Sequence, residues 1–147
     1  MWATFESMIE VGIAETLDLD YEVANLILSG LSFKRKSSIL KSALYVKGQH
    51  DTIELIKDII NDAKRNTIAH GRVGIRNSKE VIFSHRDSDD RYRDRKFVFS
   101  KEEMFLHGKD FFSSCVELQE EMGLTDEMLE NYGQASLSLA AKSIKSP

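Results

Sequence analysis

The chain has 147 residues, of which 41% are hydrophobic and 30% charged, and its net charge is −4 at pH 7. That profile fits one globular domain with a core of its own and excludes a disordered segment. No apolar run approaches a membrane span, the single cysteine excludes an internal disulfide or thiolate metal cluster, and one proline with eight glycines disfavours a turn-rich sandwich or barrel.

Taken in chain order, residues 2–17 read as an amphipathic helix, with Trp2, Phe5, Ile9, Ile13 and Leu17 three or four apart. A break at Leu19–Asp20 precedes a second helix over about 21–29, which Gly30 can stop. Ser32 can cap a third helix carrying Phe33, Ile39, Leu40, Ala43 and Leu44 and ending near Gly48. Asp51 and Glu54 offer an acidic capping box to a fourth helix whose stripe is Ile53, Ile56, Ile59, Ile60 and Ala63, with Gly71 in the place of a left-handed cap. The period then changes to that of strands. Val81–Phe83 and Phe97–Phe99 flank the charged stretch His85–Lys96, which predicts a short β-hairpin or extended flap near 80–99 with a mobile tip. Ser100 and Glu103 form a second capping box, opening a helix to about Met122 with Phe105, Phe112, Cys115 and Leu118 inward. Thr125 caps a last helix to about Lys142. The expectation is a single all-α domain over 1–147, a bundle of about five to six helices with one hairpin insertion. Residues 1–20 have no basic start, so no signal peptide is expected and the location is cytoplasmic, without a membrane.

Charge is segregated along the chain. No acid lies between Glu22 and Asp51, where Lys34, Arg35, Lys36, Lys41 and Lys47 fall, and none between Asp62 and Glu80, where Lys64, Arg65, Arg72, Arg76 and Lys79 fall. Residues 101–130 invert this, with nine acids against Lys101 and Lys109. The two basic stretches either converge on one face or are solvated helix surfaces.

The segment Lys64-Arg-Asn-Thr-Ile-Ala-His-Gly71 stands out. On a helix, Asn66 and His70 share a face and continue the apolar row of Ala63 and Ile59, while Arg65 points to one side. A histidine that titrates near neutrality can move protons, and an arginine fork can hold a phosphate and stabilise charge developing on it. The bland alternative is a helix end whose His and Arg suit the C-terminal dipole, with Asn supporting the turn.

Arg65, Asn66 and His70 resemble the hallmark of the HEPN superfamily, Arg-polar-x3-His near a helix end in an all-α bundle. The resemblance implies a metal-independent endoribonuclease needing no cofactor, often a toxin or anti-phage effector, and commonly a homodimer in which two motifs line one cleft. Arg65 would bind the scissile phosphate, His70 would transfer protons or stabilise the transition state, and Asn66 would hold the geometry. An antitoxin or regulatory protein is a further implied partner. In one toxin branch a tyrosine two residues past the histidine is modified by its antitoxin. Arg72 stands there, so that neutralisation is not supported, and the hairpin is not part of the minimal helical core.

RNA contacts are expected from Lys64, Arg72 and Arg76 beside the motif, from Lys34, Arg35 and Lys36, and from an arm in which Tyr92 stacks on a base while Arg91, Arg93 and Arg95 face phosphate. The competing reading of that arm is a solvated tip with weak ion pairs. His50, His85 and His107 are isolated and show no metal-ligand spacing. Cys115 reads as a small buried hydrophobe. Two other functions stay open: a non-catalytic module binding RNA or a nucleotide, and a protein-interaction or immunity component working through its acidic 101–130 region.

Overall fold

The computed structural model describes residues 2–63, 72–76, 79–87 and 93–144. The fold is an all-α bundle with a small antiparallel sheet, and its backbone contacts gather into two compact units. Residues 1–56 with 115–147 make the first, and residues 57–114 the second.

In the first unit, α1 (Trp2–Leu17) is the central helix. It buries Phe5, Met8, Ile9, Val11, Ile13 and Ala14, and packs on α2 (Tyr21–Leu28), α3 (Phe33–Val46) and α6 (Asp126–Ile144). Glycine at position 12 permits a close approach, because a Cβ there would fall 2.5 Å from Met122 Cε and 3.3 Å from Leu40 Cδ2. α1 ends with Asp18 in the left-handed region (φ 54°), letting the Leu19 N–H donate to Ala14 O at 2.8 Å. Asp20 then caps α2, its carboxylate accepting from the amides of Glu22 and Val23. Gly48 (φ 74°) closes α3 and Gly123 (φ 64°) closes α5 (Lys101–Glu121) in the same left-handed manner.

The caps read from sequence divide. Ser100 and Glu103 form the full reciprocal box at the start of α5 (3.1 and 2.7 Å), and Thr125 Oγ1 accepts from the Met128 amide. Ser32 occupies the N-cap of α3, yet its side chain makes no capping bond. α4 (His50–Asp62) starts two residues earlier than a cap at Asp51 allows. Gln49 O accepts the first helical bond from Ile53, which puts Asp51 inside the first turn, where its charge suits the dipole.

α5 turns a different face inward from the one its aromatics suggest. Cys115 and Leu118 are buried as expected, but Phe105 and Phe112 are 74% and 61% exposed. The shielded row is Met104, His107, Phe111, Ser114, Cys115 and Leu118. Adjacent apolar residues at Phe105–Leu106 and Phe111–Phe112 make two helix faces look alike in sequence, and only packing separates them.

In the second unit, β2 (Glu80–Asp87) and β3 (Arg93–Ser100) form the hairpin, with Val81 opposite Phe99 and Phe83 opposite Phe97. Its pairing runs well into the charged stretch, where Arg86 faces Asp94 and Asp87 faces Arg93 in register. A third strand, β1 (Arg72–Arg76), adds to β2 on its other side, so the sheet order is β1-β2-β3. Buried Phe83 and Phe99 meet edge to face at 6.1 Å.

Candidate functional site

Lys64, Arg65, Asn66 and His70 lie outside the described residues, as do Arg91 and Tyr92. The structure carries α4 to Asp62 and follows the chain to Ala63, directly ahead of the motif. Arg72 and Arg76 take the two ends of β1, in register with Ser84 and Glu80, and Arg93 begins β3 opposite Asp87.

At the end of α4 the second unit holds a cleft of about 160 Å³ lined by Ile59, Asp62, His107, Asp110, Phe111 and Ser114. Helix periodicity builds it: Ile59 and Asp62 are three apart on α4, and His107, Asp110, Phe111 and Ser114 share one side of α5. The His107 ring stacks on Phe99 at 5.6 Å with 26° between planes, so the sheet holds one wall of the imidazole. His107, which its sequence neighbourhood leaves isolated, is thus set among two carboxylates and a hydroxyl. The signal available in sequence was the 107–110–114 spacing, too common to single out. Among the described residues no His, Cys, Asp or Glu cluster has the form of a metal site.

The basic run 34–36 is split by its helix. Lys34 and Arg35 are exposed, but Lys36 is 5% exposed and turned inward. Its ammonium donates to Glu6 at 3.0 Å and to Glu10, both on α1. This corrects the expectation that Lys36 faces RNA with its neighbours: a cation held by two carboxylates inside the unit is not presented to a polyanion. Burial alone would push the Lys36 ammonium down, but the hydrogen bonds and charges of Glu10 and Glu6 reverse that and raise it. Tyr132, buried beside them, is also pushed up, by burial first and then by the Glu10 carboxylate.

Lys34, Arg35, Lys41 and Lys47 have no carboxylate partner among the described residues. At the C-terminal end of α3 the Tyr45 ring is 68% exposed and meets the exposed His50 edge to face at 5.3 Å. Sequence reasoning passed over Tyr45. Cys115 is buried, its thiol pushed up to about 11 by burial, which keeps it protonated and unreactive at neutral pH.

Compared with known proteins, the chain matches no family model, no curated protein and no solved structure. No described helix is long and apolar enough to cross a membrane.

Proposed function

We propose that the chain is a metal-independent endoribonuclease acting on single-stranded or looped RNA, with Arg65, Asn66 and His70 as its reactive group. The observation that carries this reading is the sequence Arg65-Asn-Thr-Ile-Ala-His70, set after an amphipathic helix and inside an acid-free basic stretch. The helix α4 is described as far as Asp62, just ahead of the motif in the chain.

In the proposed reaction a ribose 2′-oxygen attacks the adjacent phosphorus and the bond to the 5′-oxygen breaks. Neutral His70 accepts the 2′-hydroxyl proton or, once protonated, donates one to the departing 5′-oxygen. Arg65 holds the non-bridging oxygens by two hydrogen bonds and stabilises their growing charge. Asn66, four residues before His70, keeps the histidine oriented. A toxin or anti-phage role, a homodimer joining two motifs in one cleft, and control by an antitoxin or regulatory protein complete the reading. Light scattering should then give a dimer mass, and a monomer at working concentration removes the composite cleft.

The test is incubation of wild-type and His70→Ala protein with labelled mixed-sequence RNA in excess EDTA. Cleavage is expected from the wild type, with a loss of at least a hundredfold in the variant at an unchanged helical spectrum. Cleavage that survives the substitution refutes the assigned role. A second reading, RNA binding without chemistry, is favoured by the unpaired cations of α3, and it predicts salt-dependent binding by wild-type protein with no strand scission.

A further inference from the structure

α3 carries five cations and no acid when its cap Lys47 is counted, and the fold sorts them by face. Lys36, Ser37, Leu40 and Leu44 are its buried side, where Lys36 is neutralised by Glu6 and Glu10. Away from that side Lys34, Ser38 and Tyr45 are exposed and Lys41 is half-buried, and the four recur at spacings of four, three and four, which places them on a single line along the flank of the helix. That line is roughly 16 Å long at the helical rise. It starts and continues with unpaired lysines and ends on an exposed aromatic ring braced by His50.

A solvated charged face explains the lysines but not the tyrosine, since an exposed aromatic surface gains nothing from water. The two together match single-stranded nucleic acid, in which phosphates want cations and unpaired bases want a flat ring to lie against. An acidic protein would satisfy the lysines alone. We infer that the outer face of α3 is a track for single-stranded RNA, with Lys34 and Lys41 along the phosphates and Tyr45 stacking on a base. The track rests on the RNA reading above and extends it, giving the substrate a hold on the helical unit through residues outside the motif.

The experiment measures binding of a labelled 2′-O-methyl oligouridine, which lacks the attacking hydroxyl, by the full chain in fluorescence anisotropy at several salt concentrations. Tyr45→Ala is expected to weaken binding about tenfold and Tyr45→Phe to leave it within about twofold. Lys34→Ala with Lys41→Ala should flatten the salt dependence by about 1.4 in log–log slope. Equal affinity of wild type and all these variants overturns the track while leaving the nuclease reading to its own cleavage assay. Absence of wild-type binding together with absence of cleavage overturns both. Displacement of the oligonucleotide by polyglutamate as effective as by unlabelled oligouridine also overturns it, because the face would then be a site for acidic protein. Folding of each variant is checked by its helical spectrum.

Discussion

Lys36 shows at the scale of one residue how a surface motif becomes interior. Its partners Glu6 and Glu10 lie thirty and twenty-six positions away, so a reader of the sequence sees three consecutive cations and no acid nearby. Helix geometry alone would separate Lys36 from Lys34 and Arg35 by a turn of the face, but the acids opposite it come from tertiary structure. Removing the lysine leaves two carboxylates facing each other with no cation between them. Lys36→Met should therefore cost about 3 kcal/mol in urea unfolding, and adding Glu6→Gln and Glu10→Gln should recover most of that loss. If the single substitution is neutral, the ammonium is not balancing those acids. His107 makes the converse point. It belongs to no sequence motif, and its place in the cleft depends on the sheet residue Phe99 that stacks on it.

At the scale of elements, the helices were legible because capping and 3.6-residue periodicity are local. The limits of α1, the break at Leu19–Asp20, the box at Ser100 and the cap at Thr125 all follow from neighbours within five residues. What was not legible required knowing the partner surface. α5 offers two apolar faces and the fold uses one; β1 is five residues with a central glycine, too short to announce itself before β2 pairs with it. The motif was legible as a sequence pattern, whereas the cleft at the end of α4 was not, because Asp62 and His107 come from different helices. Two serines test the capping account. Ser100→Ala should cost about 1 kcal/mol, since it removes an oxygen that accepts from Glu103, whereas Ser32→Ala should change stability by a few tenths at most, there being no bond to lose. Thermal or urea unfolding of the pair decides this, and equal losses contradict it.

For the molecule as a whole, the resolved proton equilibria lean one way. Cys115 is raised from 9.0 to about 11 and Tyr21 from 10.0 to about 12, chiefly by burial, and Tyr132 and Lys36 are raised as well. In every case the native state holds the proton more tightly than the unfolded chain. The stabilisation is complete below the ordinary values and disappears as pH climbs through the native ones. The melting temperature should therefore be level between about pH 7 and 9 and fall steadily between about 9 and 12; a flat profile across that window contradicts it. A different consequence follows from the first unit being assembled from residues 1–56 and 115–147. During synthesis α1 and α2 leave the ribosome long before α6, the helix that packs on both. The sheet, whose pairings are all local, has every residue it needs while those helices still wait. The helical unit is thus completed last, by hydrogen bonds such as that from Asn25 to Tyr132 O across 107 positions. Until then the apolar sides of α1 and α2 are open to chaperones and to other nascent chains, which makes the interval before α6 emerges this protein's hazard for aggregation.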